Sequence, residues 1–227
     1  MIIEIVQNFF RLTADQNVST SILQDNKKFN FSKVDSASGP LRSEGMTFGF
    51  VTEGVAKLNH LHGKAEMVMS AGMYFSVDTS WTLKVDGNVL LMTATQYDGL
   101  NTFGGPLENY GRLKYIDNCS DSLIVPPTKL GDPCLNLLVF PPDTRQSPHL
   151  HPSFRAGMVV SGAGSCVLEG QTVSLNVNDF FIIPANLVHC FHSGNNGLRV
   201  IAFHPDSDFG PTDHIHPMIN RTILETK

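Results

Sequence analysis

The sequence predicts an all-β protein built from two similar β-barrels in one chain. Helical periodicity is nearly absent, and the only stretch with helical character lies near residues 17–25. Most of the remaining chain consists of short apolar or alternating runs, each closed by Gly, Pro, Asn or Asp. Short strands at this spacing are typical of a sandwich or barrel. A weak internal repeat indicates that two such units follow one another.

The repeat gives both halves one strand plan. The first copy runs from Val51 to an aromatic strand near Phe75, and the second runs from Val160 to an aromatic strand near Phe180. Each copy has the order strand, Gly turn, strand, loop, strand, small turn and aromatic strand. The predicted strands include Met46–Thr52, Val55–Leu58, Glu66–Ser70, Val89–Thr95, Leu135–Phe140, Met158–Ser161, Ser165–Leu168, Val173–Val177, Phe180–Ile183 and Arg199–His204.

A connection rich in Pro and Gly separates the two units. It contains Gly104-Gly105-Pro106 and Pro126-Pro127. Residues 113–116 and 123–125 already have the character of entry strands for the second unit. The predicted division is therefore a first unit over residues 1–109 and a second over residues 110–227.

Composition and charge exclude several classes of function. The 227 residues are 41% hydrophobic, enough for a substantial core, and the net charge of −5 argues against a nucleic-acid-binding surface. No apolar run is long enough to span a membrane. The apolar start, Met1–Phe10, contains Glu4 and has no basic residue ahead of it, so it is a poor secretory signal. Four widely spaced cysteines without a CxxC pair favour reduced thiols, and we expect a cytoplasmic protein.

A histidine pattern in the second unit contains the residue types of a metal site, although its spacing alone does not show a metal. His149 and His151 are two residues apart, so on a strand their side chains point to the same face. His189 follows 38 residues after His151, at the end of Pro184-Ala-Asn-Leu-Val-His189. Three imidazoles on one face suit Fe, Mn, Ni, Cu or Zn.

These motifs resemble those of the cupin superfamily. The first family motif is a Gly, five residues, HxH, three or four residues, Glu, six residues and Gly; its positions here hold Asp143, His149, His151, Arg155 and Gly162. The second is a Gly, five residues, Pro-x-Gly, two residues, His, three residues and Asn; its positions hold Asn178, Pro184, Asn186, His189 and Ser193. Asn in the two Gly positions of the second motif supports left-handed turns there, because Asn tolerates that backbone best after Gly.

The resemblance implies two double-stranded β-helix barrels of jelly-roll type, a bicupin, with one divalent transition metal in the second. The usual carboxylate ligand falls on Arg155, so the expected ligands are His149, His151 and His189 alone. This set is more similar to the thiol dioxygenase branch than to the branch with three His and one Glu. Two interpretations stay open. Arg155 anchors an anionic substrate beside the metal, or the metal has been lost and the barrel binds a ligand without it.

Several groups could lie next to the Arg155 side chain. Glu169 or Asp179 are protein carboxylates that it could pair with, and a bulge after Pro152 would instead send it to solvent. We favour a carboxylate or phosphate of a ligand, which Arg holds in a bidentate manner. His204 ends a predicted strand and is a second candidate for substrate binding.

The first unit lacks the histidine set. His60 and His62 form an HxH, but they fall in the turn of a predicted hairpin, so we expect both to be exposed. The first barrel is therefore predicted to be structural, metal-free and apolar inside. His192 has the opposite strand parity to His189, and we expect it to point outward.

Three functions follow from these residues. The first is a non-haem metal-dependent oxygenase acting on a small anionic or polar molecule. The second is a non-catalytic cupin or sensor that binds a sugar or anion. The third is a metal-dependent isomerase or lyase, which needs a general base that the motifs do not provide. The expected partner is a small-molecule ligand, and both a monomer and a homodimer stay open. The substrate and catalytic residues are not predicted.

Overall fold

The computed structural model describes residues 3–6, 9–13, 18–63 and 65–224. The strands of the first half of the chain are β1 (Ile3–Val6), β2 (Phe9–Leu12), β3 (Val18–Gln24), β4 (Lys27–Asp35), β5 (Leu41–Arg42), β6 (Met46–His60), β7 (Glu66–Ser70), β8 (Tyr74–Val77), β9 (Trp81–Ala94) and β10 (Thr102–Gly104). Those of the second half are β11 (Leu113–Lys114), β12 (Ser120–Val125), β13 (Cys134–Phe140), β14 (Arg155–Leu168), β15 (Gln171–Leu175), β16 (Phe180–Ile183) and β17 (His189–His204). A short helix, α1, covers Pro217–Asn220.

The strands form two sheets, each belonging to one barrel, and the all-β prediction is confirmed. The first sheet has the order β10-β8-β6-β9-β4-β3, with β5 on β9 and β7 on β6. The second has the order β1-β2-β16-β14-β17-β13-β12-β11, with β15 on β14. The chain changes sheet between β2 and β3 and again between β10 and β11. Among the described residues, no helix is long and apolar enough to cross a membrane.

The N-terminal strands pair with the second sheet although they precede the first one in sequence. β2 lies antiparallel to β16, with Phe10 opposite Ile182. The first segment of the chain therefore reaches across to the C-terminal barrel. The division at residue 110 stays a prediction, but strand pairing assigns β1 and β2 to the second sheet.

The helix expected near residues 17–25 is wrong. Residues 18–24 form β3, which pairs antiparallel with β4 along its whole length, while Asn17 lies outside the described residues. Asp25 and Asn26 connect the two strands with φ of 51° and 61°. Two consecutive positive φ angles define the tight turn that matches the twist of a hairpin. The turn chemistry of Asp-Asn thus outweighs the weak helical pattern before it.

An aromatic core joins the two sheets. Phe29 and Phe31 of β4 pack against Phe154 and against Phe203 of β17, with ring centroids 5.2–6.0 Å apart. Aromatic pairs at such separations add to the stabilisation from burial itself. This core fixes the ends of β14 and β17, the two strands that carry Arg155 and His204.

The interior of the first barrel is apolar only in part, which corrects the expectation of an apolar interior. Val51, Leu58 and Leu83 are buried within it. Thr47 and Thr93 line the same interior and share a hydrogen bond of 2.8 Å between their hydroxyls.

The four cysteines are free and buried: Cys119, Cys134, Cys166 and Cys190. Burial raises the thiol pKa of Cys119 to about 11 and that of Cys134 to about 12. These thiols stay protonated at neutral pH and are therefore poor nucleophiles.

Candidate metal centre

Three histidines converge in the second barrel. His149 lies in the segment before β14 and forms an isolated bridge with His189, the first residue of β17. The two residues exchange backbone hydrogen bonds of 2.9 Å in both directions. One nitrogen from each of His149, His151 and His189 lies within 4.8 Å of the other two, a group that could hold a metal ion.

Three residues at motif positions have left-handed backbone conformations, and they lie in the turns around the histidines. Asn178 and Asn186 have φ of 70° and 61°, which confirms the turn expectation for these two residues. Asp143 has φ of 56°. The backbone N–H of Asn186 donates to the carbonyl of His151 at 2.7 Å. The second-motif turn therefore holds the backbone of the first motif.

Backbone carbonyls orient two of the three imidazoles. Nδ1 of His149 lies 2.9 Å from the carbonyl oxygen of Ser147, and Nδ1 of His189 lies 2.9 Å from that of Leu187. A neutral imidazole in this position donates from Nδ1 and keeps the lone pair on Nε2. Such bonds from the non-ligating nitrogen are the usual support of metal-binding histidines.

Burial keeps the imidazoles of His151 and His189 neutral. Burial and then the Arg155 charge lower the pKa of His151 to about 3. Burial lowers the pKa of His189 to about 4, against the opposing effect of its bond to Leu187. Both rings are therefore in the neutral form that binds metals at physiological pH.

The histidines face a cavity of about 170 Å³ inside the second barrel. Arg155 and His204 line it as well, so the structure brings all five predicted site residues to one space. Burial, followed by the nearby Arg155 charge, lowers the pKa of His204 well below its usual value. The cavity wall is completed by Tyr115, Asp121, Asn136, Leu138, Phe140, Gln146, Ala156, Phe181, Ile183, Phe191, Val200 and Ala202.

Arg155 lies inside the barrel, with 14% of its side chain exposed, so the alternative of an outward Arg155 is wrong. Its Nη1 donates to the Ser153 hydroxyl at 2.5 Å and to the Phe154 carbonyl at 2.9 Å. Its Nε is buried without a hydrogen-bond partner among the described residues. The guanidinium is thus bound to the protein mainly through one nitrogen.

The carboxylate nearest Arg155 is that of Asp206, at 3.8 Å, rather than Glu169 or Asp179. Asp179 instead lies 3.9 Å from Arg11, and Glu169 is exposed in the turn between β14 and β15. Parity along the motif strand could not identify Asp206, because it comes from the segment that follows β17.

An acid and an amide from other strands also face the cavity, and motif reasoning missed both. Both carboxylate oxygens of Asp121 accept from the Asn136 amide, at 3.0 and 2.9 Å. Burial raises the pKa of Asp121. A signal for Asn136 exists in the sequence, because it shares strand parity with Leu138 and Phe140 in an otherwise apolar strand.

The other histidines lie outside this cavity. His62 is exposed as expected, but His60 is half-buried at the end of β6 and packs edge-on against Trp81, with ring centroids 5.3 Å apart. His192 is half-buried, and its Nε2 lies 3.7 Å from the Sγ of Cys190. The expectation that His60 lies exposed in a turn fails because β6 extends to this residue.

Comparison with known proteins agrees with this architecture. A model of the cupin domain matches residues 136–204. No curated protein matches the sequence. A cupin 2 conserved barrel domain protein from Leptotrichia buccalis has a similar structure, with a TM-score of 0.62 at 14% identity over 85% of this chain and 90% of that one.

Two enzymes also have similar folds. A variant of salicylate 1,2-dioxygenase from Pseudoaminobacter salicylatoxidans in complex with gentisate gives a TM-score of 0.55 at 11% identity, over 79% of this chain and 68% of that one. Oxalate decarboxylase from Bacillus subtilis, with Mn(II) centres, gives 0.55 at 9% identity over 92% and 78%. Residues 136–204 match the cupin domain, and the similar solved structures show that the chain has the fold of two-barrel cupin proteins.

Proposed function

We propose that the second barrel is the active site of a metal-dependent oxygenase for a small carboxylate. One observation carries this proposal: three imidazoles and one guanidinium face the same cavity of about 170 Å³. The imidazoles of His149, His151 and His189 would hold the metal, and Arg155 would hold the substrate.

The donor set fits a divalent transition metal. All three donors are ring nitrogens, a set that suits Fe, Mn, Ni, Cu or Zn better than Mg or Ca, which prefer oxygen ligands. The Nδ1 contacts of His149 and His189 leave the Nε2 lone pairs of these rings for a metal. With three protein ligands, a bound metal would keep open positions for substrate and dioxygen.

Arg155 provides the charge that a carboxylate requires. The guanidinium is half-buried, and its nearest carboxylate, that of Asp206, is 46% exposed. Solvent therefore weakens the attraction between Arg155 and Asp206, so Arg155 can still attract an anion that enters the cavity. Because Nη1 makes the contacts to Ser153 and Phe154, the edge formed by Nε and Nη2 is left for a bidentate carboxylate.

The cavity admits a small molecule with an apolar part. Phe140, Phe181, Ile183, Phe191 and Val200 line it beside the polar groups. This apolar wall would exclude water around the bound substrate, which strengthens the attraction of Arg155. Both similar enzymes are named for small carboxylates, salicylate and oxalate, which supports this substrate class.

A metal-dependent lyase or isomerase is the second candidate function. Asp121 supports it, because a carboxylate whose pKa is raised by burial is suited to proton transfer. Asn136 holds both Asp121 oxygens, and Tyr115 lies near His149 with ring centroids 6.5 Å apart. In this function Asp121 would take a proton from the substrate that Arg155 positions.

Dioxygen uptake distinguishes these functions. Protein loaded anaerobically with Fe(II) or Mn(II) is mixed with gentisate, salicylate or oxalate, and dioxygen and products are followed together. Dioxygen consumed in proportion to product supports the oxygenase. Product without dioxygen uptake supports the lyase or isomerase. Calorimetric binding without product supports a ligand-binding cupin, and the absence of binding by any of the three acids contradicts the carboxylate proposal.

A further inference from the structure

The first barrel contains a cavity of its own, larger than that of the histidine site. Its volume is about 370 Å³, compared with about 170 Å³ in the second barrel. It opens among β3, β4, β5, β6, β8 and β9. The cavity is independent of the metal centre, because no residue lines both.

Strand register gives this cavity one polar end and one apolar end. β6 and β9 run antiparallel, so Thr47 pairs with Thr93 at one end and Leu58 pairs with Leu83 toward the other. All four side chains line the cavity. The Thr47 and Thr93 hydroxyls therefore lie toward one end of the cavity, and Leu58 and Leu83 lie toward the other.

The polar end provides several hydrogen-bonding groups. Thr47 and Thr93 share one bond of 2.8 Å, and the Ser43 hydroxyl contacts Thr47. The Asn30 amide and the Ser32 hydroxyl also line the cavity and make no hydrogen bond to the described part of the chain. These groups can donate to and accept from a polar head group.

The apolar end is closed by Phe75, Val77, Trp81 and Leu83. Each of these residues is at least 90% buried. A ring-sized hydrocarbon group would fill the space and gain contact with this wall, in which Nε1 of Trp81 is buried without a partner among the described residues.

In the described part of the chain, no charged group lies in the interior of this cavity. The charged residues in its lining are Arg42 and Glu44, which are both exposed and of opposite sign. An ion entering this barrel would lose hydration without gaining a partner.

We propose that the first barrel is a second binding site, specific for a small neutral molecule that has a ring-sized apolar body and a hydroxyl or amide head. The head binds at the Thr47 and Thr93 end, and the body packs against Trp81 and Leu83. This site needs no metal and does not rest on the function proposed for the second barrel.

Trp81 is the single tryptophan of the chain, so its fluorescence reports on this cavity alone. Cyclohexylmethanol is a suitable probe, because it has a neutral head and a ring and does not absorb near 280 nm. Titration should give a saturable change in Trp81 emission. Cyclohexanecarboxylate, which has the same ring and a charged head, should bind at least tenfold more weakly.

Two variants test the polar end. Thr93→Val keeps the shape of the side chain and removes its hydroxyl, and Ser32→Ala removes a second hydroxyl. Each variant should lower the affinity for cyclohexylmethanol about two- to tenfold. Thr172→Val is the matched control, because Thr172 is exposed on β15 of the other barrel, and it should leave affinity unchanged. Circular dichroism verifies that each variant folds.

Three results would overturn the assignment. They are the absence of a saturable response in the folded wild-type protein, binding of the carboxylate as tight as that of the alcohol, or unchanged affinity in folded Thr93→Val and Ser32→Ala.

Discussion

The Nη1 atom of Arg155 lies 3.8 Å from Oδ1 of Asp206, and the hydroxyl of Ser153 connects them. Ser153 donates to Asp206 at 2.5 Å and accepts from Arg155 at 2.5 Å. Asp206 is 46% exposed, whereas Arg155 is 14% exposed. A carboxylate in contact with solvent therefore balances a guanidinium that faces the three histidines.

Replacing Asp206 should strengthen the binding of carboxylates. In Asp206→Asn the negative charge that competes for Arg155 is gone, while the side-chain shape is kept. We expect the affinity for gentisate, measured by calorimetry on metal-loaded protein, to rise about three- to tenfold. Asp213→Asn is the control, because Asp213 is exposed in the same C-terminal segment and pairs with Lys129. Equal affinity in wild type and Asp206→Asn would contradict the role of Asp206.

Replacing Arg155 should separate substrate binding from metal binding. Arg155→Lys should keep the metal and lower the affinity for gentisate at least tenfold. Lys cannot bind both oxygens of a carboxylate with two parallel hydrogen bonds as Arg does. Arg155→Ala should cost about 1 kcal/mol of stability by urea unfolding, since the half-exposed Asp206 stays hydrated when its partner is lost. A loss of about 3–5 kcal/mol would indicate a structural ion pair instead. Unchanged gentisate affinity in Arg155→Lys would exclude Arg155 from substrate binding.

Acid should destabilise the metal-free protein through its buried histidines. The unfolded chain protonates histidine near pH 6.5, whereas folded His189 and His151 do so only near pH 4 and 3. The unfolded state therefore binds more protons as pH falls from 6.5 toward 4, and stability decreases by up to about 1.4 kcal/mol per pH unit for each such histidine. Urea unfolding with a chelator, at pH 7, 6 and 5, measures this slope.

His204 provides the variant for this pH dependence. Burial lowers its pKa, so it contributes to the same loss of stability below pH 6.5. His204→Gln removes the titrating ring and should give a shallower decrease. Identical slopes in wild type and His204→Gln would show that His204 does not stay neutral in the folded protein.

The left-handed turn at Asn178 should tolerate Gly better than Ala. Its φ of 70° lies in the left-handed region, where Gly has no steric clash from a β-carbon and most other residues do. We expect Asn178→Gly to change stability by less than about 0.5 kcal/mol and Asn178→Ala to cost about 1–2 kcal/mol. Asn195→Ala, at an exposed position outside the positive-φ set, is the control and should be neutral. Equal stability of the Ala and Gly variants at position 178 would contradict this explanation.

Local patterns predict the parts of this protein that depend on local geometry. Strand parity and motif spacing place His149, His151 and His189 together, and Asn at two turn positions predicts positive φ. The pairing of Arg155 with Asp206 is not local, because it depends on the path of the chain after β17.

Two other features that the sequence did not predict also depend on contacts between distant parts of the chain. Asp121 reaches the cavity from β12, a strand outside both motifs, and its inward direction depends on pairing with β13. The polar end of the first barrel arises because register brings Thr47 opposite Thr93, which are 46 residues apart. Non-local pairing of this kind is not encoded in periodicity alone.

Metal content is the measurement that tests the central claim most directly. The wild-type protein, loaded with Fe(II) or Mn(II) and dialysed, should hold one ion per chain by elemental analysis. His151→Ala should hold almost none, because it removes one of only three ligands. The double variant His60→Ala, His62→Ala is the matched control and should keep one ion per chain, because these histidines lie in the other barrel. A full complement of metal in His151→Ala, or its loss in the double variant, would contradict the site described for the second barrel.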